Sequence, residues 1–240
     1  MNMKHQEIGI GHRGIVDQKN SKVIQFDQAS VFAEYCKVIS DTFCPFLKPA
    51  EKANVLFATE YKVNADDLAG IQETMFYYGV MHVEALRRFR YQNRNSSKGI
   101  LACDNVIFVL DDKFHGIDGQ ALFSWPHWLL KVLYSQVGVM IGKFWIGEKI
   151  NGRNGLAIPE PPCHFFSIRS VIKERDPYFF TKAPQLLSQI IQSTDSLANV
   201  HKSLLPNGCN LDFASMMKHD YYQIVLEWGR KEWEKKGTKA

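Results

Sequence analysis

The chain has 240 residues, of which 45% are hydrophobic and 22% charged, an ordinary globular composition that excludes a disordered chain. The formal net charge of +4 is mild and concentrates near the C-terminal end, between Arg230 and Lys239, so a nucleic-acid footprint is not expected. Five cysteines without CxxC spacing argue against a disulfide framework or a zinc knuckle. The sequence has no signal-like or membrane-spanning apolar segment, which predicts a soluble, cytoplasmic protein with no membrane partner.

The first quarter of the chain predicts an arm, a helix and a strand. Residues 1–26 form a loose polar arm with a short strand at 22–26, and a first helix covers 27–38 and ends before Pro45. Residues 54–63 are rich in β-branched and aromatic side chains, which predicts a strand.

The strongest helix follows this strand. Asn64 is a good N-cap, and acidic residues after it suit the positive end of the helix dipole. Apolar residues then recur at spacings of three and four from Leu68 to Phe89, which places His82 on the buried face. A polar loop follows, and the apolar run 106–110 predicts a buried strand.

The middle of the chain predicts a loop, a helix and a strand with two glycines. The loop 114–119 is punctuated by glycine, and Pro126 near the start of 124–136 predicts a helix there. Residues 138–145 form the strand. Its glycines, Gly138 and Gly142, mark a bulge or the close approach of another backbone or a ligand.

The last third predicts a long loop, one strand and helices. Residues 147–162 form the loop, and loops of this length are often functional. A strand covers 163–168 and leads into a helical turn at 169–175. One helix starts at Pro184, and a last one covers 211–235 with a core stripe that includes Met217.

These elements predict one α+β domain over residues 27–240, with a small, mostly antiparallel sheet flanked by helices. No internal repeat or linker divides the chain. The sequence leaves the oligomeric state open.

Cys44 is the most informative candidate residue. It lies in the segment Thr42–Pro49, between two prolines and two aromatic residues, and directly after a predicted helix. Such a thiol can ligate iron, attack a substrate, or pack as a buried structural cysteine. A helix C-terminus does not activate it, because that end of the dipole is negative.

Four further side chains are candidates, each with a structural alternative. His82 is a ligand or a hydrogen-bonded core residue, and His115 and His127 are acid–base groups or exposed polar residues. Arg169 can capture a carboxylate or form an ion pair with Asp176 or Glu174. His164 is on the opposite strand face from Cys163 but could reach Cys44 in the fold.

Two blocks of the sequence carry a family resemblance. Phe43–Phe46, together with Gly138–Phe144 continuing to Pro159, Pro161–Pro162 and Ile168–Arg169, resembles an uncharacterised bacterial domain family associated with biosynthetic gene clusters. The chain is more distantly similar to the YqcI/YcgG-type haem proteins, some of which N-hydroxylate amines of amino acids. Their hallmark is a Phe-Pro-Cys segment, where this chain has Phe43-Cys44-Pro45-Phe46.

The resemblance implies a haem-thiolate oxygenase-like enzyme that acts on a small amine or amino acid in specialised metabolism. Cys44 would be the axial iron ligand, Gly138 and Gly142 would contribute to the cofactor site, Arg169 would bind the substrate carboxylate, and His82 or His115 would occupy the distal side.

Two alternatives remain open. The first is a cofactor-free cysteine enzyme that pairs Cys44 with a histidine such as His115 or His164. The second is a non-enzymatic small-molecule-binding accessory protein of a biosynthetic pathway, with the segment from Gly138 to Arg169 lining its pocket.

Overall fold

The computed structural model describes residues 20–152, 155–177 and 186–234, which form eight helices and five strands and confirm the predicted α+β fold. The strands are Ser21–Val23 (β1), Leu56–Val63 (β2), Cys103–Leu110 (β3), Val139–Phe144 (β4) and His164–Ser170 (β5). The helices are Val31–Thr42 (α1), Leu47–Lys52 (α2), Leu68–Gln92 (α3), Ser97–Leu101 (α4), Gly119–Tyr134 (α5), Leu187–Gln192 (α6), Phe213–Lys218 (α7) and Tyr221–Glu234 (α8).

The five strands form one sheet in the order β1-β2-β3-β5-β4. Only β2 and β3 run parallel, and every other neighbouring pair is antiparallel, so the predicted mostly antiparallel sheet is confirmed. A parallel pair needs a crossover connection, and α3 and α4 supply it.

Helices cover both faces of the sheet. On one face, α3, α5 and α8 pack their apolar sides against alternate strand residues to form the main core. On the other face, α1 packs Phe32 and Cys36 against Ala58, Ile107 and Phe165. This layering places Cys44, which follows α1, at one end of the second face.

Helix starts differ from the predictions where a capping side chain lies at another position. Ser30 accepts the Ala33 N–H at 3.1 Å and begins α1, while Asp67 rather than Asn64 caps α3 by accepting the Gly70 N–H at 2.8 Å. Asp118 caps α5, so this helix begins five residues before 124 and Pro126 lies inside it.

Two predictions near the C-terminal end are wrong. The predicted helix 211–235 is two helices, because Asp220 adopts a left-handed backbone conformation with φ +48° between α7 and α8. Met217 of the predicted core stripe is 43% exposed, while Tyr221 of the same stripe is buried as predicted. Arg169 lies in β5, which continues to Ser170, and not in a helical turn.

Some predictions fall outside the described residues. These are the arm as far as residue 19, the helix start at Pro184 and the helix end at Lys235. The single-domain assignment of 27–240 stays a prediction. Among the described helices, none is long and apolar enough to cross a membrane.

We predict that Gly79→Ala destabilises the protein, because α3 and α5 approach closely there. A Cβ at Gly79 would lie 2.4 Å from Cδ1 of Leu130, which is fully buried. Overpacking of this kind costs about 1–3 kcal/mol, measurable as a lower free energy of unfolding in urea. Gly70→Ala on the same helix is the control. Its Cβ meets only Ala65 at 3.3 Å and Asp67 at 3.4 Å, and equal stability of the two variants would contradict the prediction.

Candidate functional site

Cys44 lies in the tight turn between α1 and α2. Its backbone N–H donates to the Ile39 carbonyl at 2.7 Å, and its carbonyl accepts the Leu47 N–H at 3.3 Å. The turn therefore leads directly into α2. The Cys44 side chain is partly exposed.

Cys44 lines an open pocket of about 400 Å³ formed by nine residues of α1, α2 and their connection. Its charged residues are Asp41, Lys48 and Lys52, and Lys48 Nζ lies 2.6 Å from Asp41 Oδ1. The same three residues also line a neighbouring cleft of about 760 Å³ that extends to β1. The thiol thus opens onto a polar surface of the protein.

Arg169 is brought to the same end of the sheet by strand pairing. It is the β5 partner of Cys103, the first residue of β3. Both guanidinium NH groups bind the buried carboxylate of Asp176, at 2.8 and 2.7 Å. Of the two sequence interpretations, the geometry matches the ion pair with Asp176.

Burial and neighbouring charges shift the pKa of the Arg169 guanidinium in opposite directions. Burial alone would lower the pKa of Arg169, but the hydrogen bond and charge of Asp176 raise it above its ordinary value, and Cys103 and Cys44 in their ionised forms contribute to the rise. In the sheet Arg169 is the direct neighbour of Cys103, its partner in the β3–β5 register.

An aromatic contact also joins the two sequence blocks. The Phe46 ring lies 5.7 Å from the Arg169 guanidinium and 5.3 Å from that of Arg175, which are cation–π distances. The structure therefore brings the Cys44 segment and the end of β5 together, although Cys44 and Arg169 are 125 positions apart in the sequence.

Three of the other described cysteines are protonated at neutral pH. Burial raises the pKa of Cys103 to about 12 and that of Cys163 to about 12. Burial, followed by the charges of Cys103 and Cys163, raises the pKa of Cys36 still further. A thiol is a nucleophile only as its thiolate, so these three cysteines are unreactive packing residues.

His82 is a buried structural residue. The carboxylate of Asp104 accepts its Nδ1–H at 2.7 Å, and the Tyr61 hydroxyl lies 2.6 Å from its Nε2. All three residues are fully buried, and both ring nitrogens are occupied. The predicted buried position is confirmed, and the network ties α3 to β2 and β3.

His115 and His164 lie at the other end of the sheet from Cys44. His164 pairs with Phe108, five positions along β3 from the Cys103–Arg169 pair, which is roughly 17 Å at about 3.3 Å per residue. Its ring contacts Phe123 on the α5 face, whereas Cys44 follows α1 on the opposite face. The prediction that His164 could reach Cys44 is wrong. His115 is exposed in the loop beyond the end of β3.

The remaining candidates serve the fold. His127 was expected to be exposed, but its Nε2 lies 2.9 Å from the Ile141 carbonyl oxygen and burial lowers its pKa to about 3. Gly138 adopts φ +71° in the turn before β4, and its carbonyl accepts from Arg90 and Val171. A Cβ at Gly142 would lie 3.0 Å from the Phe144 ring. Neither glycine lines the Cys44 pocket.

Sequence reasoning missed two of the buried partners. Tyr61 falls in a predicted strand, and Asp104 lies just before another. A carboxylate beside a buried apolar strand was the available signal, because a buried charge requires a partner. Asp176, by contrast, was a named alternative for Arg169.

The residues that the structure describes around Cys44 do not fit a haem. A haem iron ligand faces a largely apolar slot, but the pocket at Cys44 is lined by five polar or charged residues out of nine, which are Ser40, Asp41, Thr42, Lys48 and Lys52. Neither His82 nor His115 lines this pocket. Within the described ranges, no group of three or more His, Cys, Asp or Glu side chains could hold a metal ion either.

No protein-family model matches the chain, and comparisons with curated proteins and with solved structures return no match either. The family resemblance therefore stays an expectation, and we infer the function from the residues around Cys44.

Glu148 is a second side chain with a shifted pKa, and it lies at the far end of the sheet face that α1 covers. Oε2 of Glu148 is buried without a hydrogen-bond partner among the described residues. Burial raises the pKa of Glu148 to about 7, although Lys143 and the Trp145 backbone oppose the rise. Its charge contributes, after burial and Cys36, to the raised pKa of Tyr35 on α1.

We predict that Glu148 makes stability fall as pH rises from about 4.5 to 7. The folded state keeps the Glu148 proton over this range while the unfolded state loses it, so deprotonation favours unfolding. Glu148→Gln should remove this part of the pH dependence in urea titrations, and the exposed control Glu227→Gln should retain it. Identical pH profiles for wild type and Glu148→Gln would refute the assignment.

We predict that Tyr61→Phe lowers the free energy of unfolding by about 1–3 kcal/mol, because His82 Nε2 loses its only close partner in a buried site. The control Tyr91→Phe alters a side chain on a residue that is 48% exposed, and should stay within about 0.5 kcal/mol of wild type. Cys44 alkylation should be unchanged in both variants. Slower alkylation in Tyr61→Phe at unchanged stability would instead assign the network a functional role.

Proposed function

We propose that this protein is a cysteine-dependent enzyme that acts on a small molecule, with Cys44 as its nucleophile. One observation carries the proposal: Cys44 is a partly exposed thiol that lines an open pocket, and Phe46, two residues later, packs near the Arg169 guanidinium. The cysteines packed near it are buried, with raised pKa values.

Cationic groups take the place of a histidine base in this proposal. The Arg169 guanidinium lies 5.7 Å from the ring of Phe46, two residues after Cys44, and a cation near a thiol favours its reaction as a thiolate. Arg169 is a positioning residue, because Asp176 fixes its guanidinium and Phe46 packs near it.

The reaction type follows from this arrangement. The Cys44 thiolate attacks an electrophilic carbonyl carbon of the substrate, a sulfur–carbon bond forms, and the π electron pair moves to the carbonyl oxygen. The thiol proton passes to solvent water before the attack, because Cys44 is partly exposed in an open pocket.

This proposal replaces the haem-thiolate interpretation, because the described residues at Cys44 do not supply a haem slot. It retains the small-molecule substrate and the thiolate at Cys44. It also differs from a passive binding protein, since a binding protein does not require an activated thiol.

We predict that iodoacetamide alkylates Cys44 faster than any other described cysteine at pH 7. Cys209 is a second partly exposed thiol, in the loop before α7, and serves as the reference within the same molecule. The charge environment of Cys44 should give a rate advantage of about fivefold, which corresponds to about 1 kcal/mol, the Coulomb energy of two unit charges about 4 Å apart in bulk water. Peptide mass spectrometry at a series of times measures both rates.

Two controls accompany this measurement. In urea-denatured protein the two cysteines should react at similar rates, since the folded environment is lost. Added haemin should give no Soret band that Cys44→Ala abolishes. A Cys44 rate in folded protein no higher than that of Cys209 would overturn the proposed function, and a Cys44-dependent Soret band would restore the haem interpretation.

A further inference from the structure

We infer that the molecule bound in the Cys44 pocket carries a carboxylate or another anionic group of similar size. The inference rests on the proposed function for the covalent step, but its evidence is the charge and hydrogen-bonding character of the pocket wall.

The charged wall of the pocket is positive. Lys48 and Lys52 face a single acid, Asp41. The hydrogen bond and charge of Lys48, together with the charge of Lys37, lower the pKa of Asp41, so two lysines already compensate this carboxylate. Lys52 has no ion-pair partner among the residues described and is the cation left to bind a ligand.

Ser40 provides a second, independent observation. It lines the same pocket, is only 7% exposed, and its buried Oγ lacks a hydrogen-bond partner in the described part of the chain. A buried hydroxyl without a partner is unfavourable, and native proteins rarely leave one unsatisfied. An acceptor oxygen bound beside Cys44 would satisfy it.

Together these groups form a recognition set for a small anion. A hydroxyl donor and an ammonium group bind the two oxygens of a carboxylate, and Cys44 lies in the same wall. The volume of about 400 Å³ suits a small molecule. The anion would then fix the orientation of the substrate, while its electrophilic carbon meets the thiolate.

A matched pair of alkylating reagents tests this inference. Iodoacetate and iodoacetamide both form a sulfur–carbon bond while the carbon–iodine bond breaks and iodide leaves with the electron pair. They differ in that iodoacetate is an anion. The measured quantity is the rate ratio of iodoacetate to iodoacetamide at Cys44, divided by the same ratio at Cys209.

We expect this normalised ratio to exceed one by about threefold, the effect of one unit charge some 6 Å away in water. Lys52→Gln should return the ratio towards one, while Lys202→Gln, in the exposed loop after His201, should not change it. Ser40→Ala should lower the ratio without lowering the melting temperature, because the hydroxyl has no partner to lose in the free protein.

The normalised iodoacetate-to-iodoacetamide ratio tests anion binding in the pocket. The absolute iodoacetamide rate at Cys44 separately tests the proposed function. A normalised ratio of one in wild type, or a raised ratio that survives Lys52→Gln, overturns anion recognition even if Cys44 reacts rapidly. A lower melting temperature of Ser40→Ala with an unchanged ratio overturns the role of Ser40 and makes it a structural residue.

Discussion

The hydrogen-bonded chain from Tyr61 through His82 to Asp104 is the constraint on which the arrangement of this protein depends. It joins α3 to two parallel strands inside the main core, and α3 is the crossover that a parallel pair requires. With β3 fixed in this way, its pairing with β5 places Arg169 beside Cys103. Cys44, which follows α1, lies at the end of the sheet where this register places Arg169.

The same register separates Cys44 from the two described histidines at the far end of β3. His164 and His115 lie towards the end of β3 that is distant from Cys103, while His82 is enclosed by its partners. His201 is likewise held in the core, between the hydroxyls of Tyr134 and Tyr221. Lys48 and Lys52 line the pocket at Cys44 instead, and their charge attracts anionic molecules.

The accuracy of the sequence predictions depends on how far apart in the sequence the interacting residues lie. Local patterns gave the sheet-and-helix class and the buried position of His82, because apolar periodicity reports which side of an element is buried. The end of the α7 segment was missed because Asp220 adopts a left-handed conformation that no periodicity encodes. The ion pair of Arg169 was foreseen as an alternative, since Asp176 is seven residues away. The contact between Phe46 and Arg169 depends on strand register, which the sequence alone does not specify.

The alkylation rate of Cys44 in the double variant His115→Gln/His164→Gln shows whether Cys44 reacts without a histidine base. Both side chains lie far from Cys44, so neither substitution should disturb the corner around Arg169. The account predicts the wild-type iodoacetamide rate at Cys44 across pH 6–8. A fall of the Cys44 rate to that of Cys209 in the same protein would contradict it, because a histidine would then be the group that activates the thiol.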